Sequence, residues 1–511
     1  MTSLENEPRF RRLRQWFEGL GGATHESVEV YLDPVSGVSL RAKPDSPAPV
    51  TGMIVSCPFA ASLSYLDATA KKDRAAAFPP AFMDAVPPHV VGRFFLVQQY
   101  LLGPASHWYP YIAALPQPGD YASWALPAVW LTRSETAAVS LLRGTNAEVA
   151  AKTMAELITT EYGHAAALLD LDADEKAGYT PALYDWAYCM FTSRSFRPSL
   201  VLPEADAEAG VAVHEDSFSV LLPMLDLGNH APAARVAWER QAHKASIDFS
   251  SLDACAAGRQ IYNNYGSKTN SELLVGYGFV LPPTPTLHND YVHLRKMGGP
   301  SVLMSAGASG ESGGPPPSFL LGLRQMTDAS SVVGRGRARL TRGAERSADF
   351  GRFEDGLLWD ILLGICSGDE REQLTRYAAQ KFGVSGDRPM EDVYAAASVA
   401  QLQAVIMDMV YGDEEEDDED EKEDEEGDEE ENEEAAEKEQ FCMEKADAVR
   451  QTLTYKMYMD CKTLRSTDAE SAATDKSGFE KLAAQYREQY RAVLEAAFTS
   501  LSGEEYESDD D

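Results

Sequence analysis

Two segments constrain this chain more than all the rest. The first runs Leu221-Leu222-Pro223-Met224-Leu225-Asp226-Leu227-Gly228-Asn229-His230. The second begins Gly258-Arg259-Gln260-Ile261-Tyr262-Asn263-Asn264-Tyr265-Gly266 and runs through Ser267-Lys268-Thr269-Asn270-Ser271-Glu272-Leu273-Leu274 to Tyr277-Gly278-Phe279. Each is an apolar run that closes in small and polar residues, the pattern of a buried strand meeting a turn. Asn, His and Tyr beside a core are costly unless each finds a hydrogen-bond partner or a ligand. The fold must therefore carry a polar edge on its core, and these segments mark it.

A chain of 511 residues can bury a large core and hold two or more domains. Its net charge of −36 is concentrated: residues 413–439 hold 21 acids and 2 lysines, and residues 503–511 hold 6 acids and no base. The remainder carries 54 acids against 43 bases, a mild excess that gives no reason to expect nucleic-acid binding. The six cysteines are scattered without a CxxC pair, which argues against a disulfide scaffold or a zinc site and for a reducing compartment. The N-terminus lacks an apolar signal core, and no apolar run approaches the ~18 residues of a membrane span. These features predict a soluble, metal-free, intracellular monomer, cytoplasmic or nuclear.

The periodicity predicts a helix over 10–17, then short strands at 28–32, 38–42 and 53–58 around an Asp33-Pro34-Val35-Ser36-Gly37 turn. A helical block follows, over 90–102, 132–142, 146–169 and 180–192. Strands resume at 217–224 and 260–265. Short strands interrupted by helices read as an α+β domain with an inserted helical lobe. Beyond a Gly/Ser/Pro loop at 307–318 the pattern is helical, most clearly in Phe479, Leu482, Ala483, Tyr486, Tyr490, Val493, Leu494, Ala497 and Phe498. The acidic run 413–439 reads as a solvated, disordered loop, because like charges at that density repel.

The two opening segments resemble those of SET-domain protein methyltransferases, in particular the class of the Rubisco large-subunit lysine methyltransferase. Further resemblances fall in order along the chain: Gly37-Val38-Ser39-Leu40-Arg41-Ala42, then Ser106-His107-Trp108-Tyr109-Pro110-Tyr111-Ile112-Ala113-Ala114-Leu115-Pro116, then Leu141-Leu142-Arg143-Gly144-Thr145, then Ser193-Arg194-Ser195-Phe196. The resemblance covers roughly residues 10 to 285. It implies a SET fold of short β-sheets over 1–285, with a helical insert at about 90–195 and a pseudoknot. An all-α C-terminal domain would follow in two parts, 286–412 and 440–502, separated by the acidic loop and ended by the acidic tail 503–511.

The resemblance also implies a chemistry: methyl transfer from S-adenosyl-L-methionine to a lysine side chain of a non-histone protein. By that resemblance Tyr265 is the catalytic tyrosine, orienting the amine and polarising the methyl group. Gly37, Arg41, Arg194, Asn229, His230 and Phe279 would bind the cofactor, the arginines at its carboxylate end. Phe196, Asp226 and Tyr277 would line the lysine channel with Phe279, aromatic walls suiting an aliphatic stem and a methylated ammonium. A serine, Ser39, stands where the family often has a second glycine. Outside the resemblance, each of these residues has a plainer reading, as a core aromatic, a turn or a surface arginine.

Two alternatives stay open: histidine as the acceptor, and a non-catalytic SET-like adaptor for basic proteins. The histidine-methylating branch that this motif also resembles carries Trp where this chain has Leu225 and a polar Asn where it has Phe196, which favours lysine. No cysteine-rich zinc segment follows the core, which fits the class with a helical substrate-docking domain. The acidic run reads as a solvated loop or as a contact for a basic substrate such as a ribosomal protein. Arg335, Arg337, Arg339, Arg342 and Arg346 form a basic stretch that could meet nucleic acid or that same acidic run.

Overall fold

A computed structural model of the chain describes residues 2–70, 75–171, 176–202, 217–295, 318–337, 350–371, 428–468 and 478–506. No helix among them is long and apolar enough to cross a membrane, and none of their His, Cys, Asp and Glu side chains cluster as a metal site. The contacts divide the chain into two units. The first comprises Met1–Val139, Val149–Gly266 and Glu272–Phe279, and the second Ser140–Glu148, Ser267–Ser271 and Val280–Asp511.

The first unit is built on three small antiparallel sheets. One has the order β1 (Thr2–Ser3), β3 (Val28–Asp33), β4 (Gly37–Ala42), β11 (Gln260–Ile261). The second orders β2 (Ala23–Thr24), β5 (Val50–Pro58), β10 (Ser246–Cys255), β9 (Val236–Gln241), and the third orders β6 (Leu63–Ser64), β8 (Val220–Leu221), β7 (Ser195–Phe196). The β3–β4 hairpin follows from its turn chemistry. Asp33 Oδ1 accepts the N–H groups of Val35 and Ser36 at 2.9 and 3.0 Å, and Gly37 closes the turn at φ +74°. A Cβ on Gly37 would meet nothing within 4 Å, so the left-handed backbone, not crowding, requires glycine there. Helix α1 (Pro8–Gly19) starts with proline at its first turn and buries Phe10, Leu13 and Phe17, one face at helical spacing.

The helical insert holds α2 (Tyr65–Ala68), α3 (Pro80–Ala85), α4 (Pro88–Leu101), α5 (Tyr109–Ile112), α6 (Pro127–Thr132), α7 (Thr136–Leu141), α8 (Asn146–Leu168) and α9 (Pro181–Arg194). Thr180 caps α9, its hydroxyl accepting the Leu183 N–H at 3.2 Å, and Pro181 occupies the first turn. Trp186, Ala187, Cys189 and Met190 then bury on consecutive sides, so the helix runs through the core and delivers Arg194 to its edge.

The structure departs from the periodicity in three places within this unit. The helix predicted over 132–142 breaks at Ser134, which sits at φ +62° while the Glu135 N–H reaches back to the Trp130 carbonyl. The strand predicted over 217–224 is paired only at Val220–Leu221, because the chain turns into a 3₁₀ segment at Leu225–Leu227. The β9–β10 hairpin was not legible: its outer strand Val236–Gln241 is half-exposed along its length and shows no clean alternation.

The second unit contains α10 (Asn270–Tyr277) in part, β12 (Tyr291–Arg295), β13 (Ser318–Gly322), α11 (Val332–Arg337), α12 (Asp355–Ile365), α13 (Asp428–Arg465) and α14 (Gly478–Ser502). An all-α domain was expected, yet β12 and β13 pair antiparallel and enclose a small core of Tyr291, Leu320, Met326 and Val333. Each of these two segments is five residues long, too short for a stable helix and rich in aromatic and branched side chains. Helix α13 begins at Asp428, inside the stretch predicted to be a loop. Acids at a helix N-terminus complement its dipole, and Ala435 and Ala436 are strong helix formers. Residues 413–427, the loop 307–317, Arg339, Arg342 and Arg346 lie outside the described residues.

Helix α14 buries Ala483, Tyr486, Tyr490, Val493, Leu494 and Ala497 of the stripe that the sequence predicts, together with Arg487, while Phe479, Leu482 and Phe498 are half-buried. That guanidinium donates to the backbone carbonyls of Leu141, Arg143 and Leu464 and pairs with Asp468, which answers its burial. The division between units falls at Phe279, earlier than the expected 285, and Ser140–Glu148 and Ser267–Ser271 join the second unit. Polar side chains make those ties: Asn146 exchanges two hydrogen bonds with the backbone of His293, and Asn270 donates to Leu281 O and Asp290 Oδ1.

Burial raises Asp290 to about 6, above its ordinary 3.8, and the Asn270 amide and the Arg324 charge offset only part of the cost. The native state thus holds its proton more tightly than the unfolded chain, so stability falls as pH rises from about 4 to about 6. Asp290→Asn is expected to remove that slope and to stabilise the protein above pH 6 by about 2–3 kcal/mol. Chemical denaturation at pH 4 and pH 7 checks it; an unchanged slope in the variant would exclude Asp290 as its source.

Candidate functional site

The two opening segments come side by side. The Asn229 carbonyl accepts the Asn263 N–H at 2.7 Å, the Asn263 carbonyl accepts the Ala231 N–H at 2.9 Å, and His230 and Asn263 form a parallel bridge. Gly228 permits this approach, since a Cβ on it would lie 3.1 Å from the Cβ of Asn263. The backbone leading into the site is strained: Met224 stands at φ +71°, an uncommon conformation for a side-chain-bearing residue.

Tyr265 sits at the centre. Its N–H donates to His230 Nδ1 at 3.0 Å, and its hydroxyl donates to the Gly228 carbonyl at 2.9 Å. Its ring is stacked between His230, at 5.0 Å and 16°, and Tyr277, at 4.8 Å and 24°. Tyr277 in turn meets Phe279 edge-on at 6.4 Å. Burial pushes the Tyr265 hydroxyl far above its ordinary range, so it remains a protonated dipole at any working pH. Because His230 Nδ1 accepts a hydrogen bond, the neutral tautomer consistent with the network carries its proton on Nε2.

Asp226 has a fully buried side chain. Its Oδ2 accepts the Tyr111 hydroxyl at 3.0 Å and Arg194 Nη1 at 3.3 Å, and the same Nη1 reaches the Asp226 carbonyl. Its Oδ1 is buried and has no hydrogen-bond partner among the described residues. Burial raises the carboxyl, and Arg194 and Tyr111 oppose the shift. An orphaned carboxylate oxygen beside an aromatic stack suits an incoming cationic or N–H group.

The chain pairs over its length with structures of Rubisco LSMT bound to AdoMet and of the LSMT SET domain bound to lysine and AdoHcy. The superpositions give TM-scores of 0.56 and 0.55 at 14% identity, covering 97% of this chain and 92% of each of those. The fold is a SET fold. No family model matches the SET chain. It is 32% identical over 234 residues to the ribosomal lysine N-methyltransferase set10 of Schizosaccharomyces pombe, a stretch that is 46% of this chain and 38% of that protein. It is 33% identical over 96 residues to the protein-lysine N-methyltransferase EFM1 of Saccharomyces cerevisiae, and 25% identical over 224 residues to the actin-histidine N-methyltransferase of Drosophila melanogaster. The matches span 19% and 40% of this chain, and 16% and 38% of those two proteins. The SET chain thus matches well under half the length of each of these curated relatives.

Within the SET fold the nominated residues separate. His230, Tyr265, Tyr277 and Phe279 are joined by the ring contacts above, Asp226 and Arg194 form a second group whose charges act on the Tyr265 hydroxyl, and Asn229 is tied to the second segment through its backbone. Phe196 meets Trp238 edge-on at 6.5 Å. Gly37 serves the hairpin turn. Arg41 is committed elsewhere: its Nε and Nη2 both contact Glu29 Oε1 at 2.8 Å across the β3–β4 pair, and its guanidinium lies 4.6 Å over the Tyr31 ring. That buried pairing satisfies its charge within the sheet, whereas Arg194 keeps two nitrogens, Nε and Nη2, that make no hydrogen bond among the described residues.

Three residues that matter here carried no role in the sequence reading. Tyr111 clamps Asp226, Trp238 flanks Phe196, and Ser39 accepts the Asn229 amide at 2.6 Å while donating to the Gly37 carbonyl at 3.0 Å. Ser39 stands where a glycine was the pattern, and its hydroxyl fixes the amide plane of Asn229. Tyr111 lies in the Tyr109-Pro110-Tyr111 segment that carried the resemblance, so a signal for it existed. Trp238 had none, because its strand was not legible.

Proposed function

We propose that this SET chain transfers a methyl group from S-adenosyl-L-methionine to a lysine of a protein substrate. The observation that carries the reading is the Tyr265 arrangement: a buried hydroxyl aimed at the Gly228 carbonyl, at the centre of an aromatic stack that begins on His230. The donor set fits the cofactor. Asn229, Arg194 and the orphaned Asp226 Oδ1 offer amide, guanidinium and carboxylate partners of the kind an amino-acid moiety needs. When bound, the cofactor supplies an electrophilic methyl on a positively charged sulfur.

The protein's own task is alignment, worth on the order of 7–11 kcal/mol for well-oriented reactants. The lysine must arrive as the free amine, against a reference pKa of about 10.4. A lysine channel walled by Phe196, Tyr277 and Phe279 would disfavour the ammonium and so release the amine's lone pair. The Gly228 carbonyl and the Tyr265 hydroxyl orient that amine by hydrogen bonding. Two of the relatives above bear names of lysine methyltransferases, one of them ribosomal, which supports a basic protein such as a ribosomal protein as the substrate.

The test incubates the full chain with isotope-labelled cofactor and a cell lysate, then maps the label by mass spectrometry. Label on lysine is the expected result. Label on histidine would transfer the reading to the histidine branch, and no label together with no cofactor binding would reject the enzyme altogether.

A further inference from the structure

Between α4, α9 and the β6–β8–β7 sheet lies a cavity of about 100 Å³ that the candidate site does not use. A dry cavity of ~150 Å³ accommodates one benzene, so this space suits one side chain and is too small for a nucleotide. One wall is apolar, formed by the rings of Tyr65, Phe191 and Phe218. The other wall carries donors. Arg93 Nη1 reaches Glu161 Oε2 and the Tyr184 hydroxyl, whereas its Nε and Nη2 make no hydrogen bond among the described residues. Ser195 and Ser219 also line the cavity, and neither hydroxyl is hydrogen-bonded among the described residues.

Among the described residues, the carboxylate beside this wall is already occupied. Glu161 takes His89 on Oε1 at 2.7 Å, and Arg93 and the Tyr184 hydroxyl on Oε2. These partners hold Glu161 below its ordinary value against the cost of burial. Donors in surplus, facing an apolar wall, call for an occupant with an apolar body and accepting oxygens.

The cavity adjoins the candidate channel through a single strand. Ser195 lies between Arg194 and Phe196, and successive strand residues face opposite sides, so the cavity backs onto the strand that presents Phe196.

We propose that this cavity is a recognition pocket for one substrate side chain, glutamate or glutamine, close in sequence to the modified lysine. The inference rests on the transfer reading above. Gly92 supplies the test, because a Cβ there would make only ordinary contacts, 3.5 Å to Tyr65 N and 3.7 Å to Phe191 Cζ. Gly92→Leu fills the cavity and improves helix propensity. An array of lysine-centred peptides, each flanking position set in turn to Glu, Gln, Leu or Ala, is assayed with labelled cofactor and separately for binding of the fluorescent protein.

The wild type is expected to favour Glu or Gln over Leu and Ala by about tenfold at one position. In Gly92→Leu that preference should fall below about twofold, with labelling of the Ala peptides unchanged, and Ser219→Ala should weaken it by about threefold. Uniform labelling at every position, or a preference that persists in both variants, overturns the pocket. If no peptide is labelled, the transfer reading fails on these substrates and the binding arm decides the pocket: binding indifferent to Glu and Gln overturns it, and a preference lost in Gly92→Leu upholds it.

Discussion

Tyr265→Phe is expected to lower kcat by roughly 10²–10³-fold, the loss typical of removing one preorganised donor from a reacting centre. The substitution deletes a single oxygen. The ring stays stacked between His230 and Tyr277, the backbone N–H still donates to His230, and Asn229 keeps its hydrogen bond to Ser39, so the fold remains. The released Gly228 carbonyl loses its only donor from this side chain and no longer presents a fixed acceptor to the amine. Steady-state kinetics with a labelled substrate, beside calorimetric cofactor affinity, separates the effects. A kcat within about twofold of wild type would remove Tyr265 from the chemistry.

Asp226→Ala is expected to be the most destabilising single change at the site. It strands the buried Tyr111 hydroxyl, and it takes the counter-ion from Arg194, whose side chain is only 22% exposed. Breaking a buried pair by deleting one partner costs about 3–5 kcal/mol. The partial exposure of Arg194 places this one at about 3 kcal/mol, a fall in Tm of about 5–10 °C. Tyr111→Phe should cost about 1–2 kcal/mol, because the carboxylate keeps Arg194. The double variant should then be little worse than Asp226→Ala, since both deletions break one network. Thermal melts of the three proteins check this; additive losses would show that Tyr111 and Asp226 act apart.

The separation between what was legible and what was not follows the range of the interactions. Turn chemistry is local, so Asp33 to Gly37 announced the β3–β4 hairpin. Helical spacing is local too, so α14 was found with its buried face. The β9–β10 hairpin and the β12–β13 pair depend on partners far along the chain, and their short or half-exposed strands left no period to read. The start of α13 at Asp428 was hidden because the net charge of a segment says nothing about where a helix dipole favours acids.

The same division runs through the site. The sequence by itself, through the resemblance that its two segments carry, pointed to Asn229, His230 and Tyr265 as parts of one site. Only the tertiary structure decided how each is used. It turned Arg41 inward onto Glu29, paired Arg194 and Tyr111 with Asp226, and made Ser39 the anchor of Asn229. Which partner a buried polar group takes depends on distances of a few tenths of an ångström between segments remote in sequence. Residue type and spacing specify the need for a partner, and the packed fold specifies its identity.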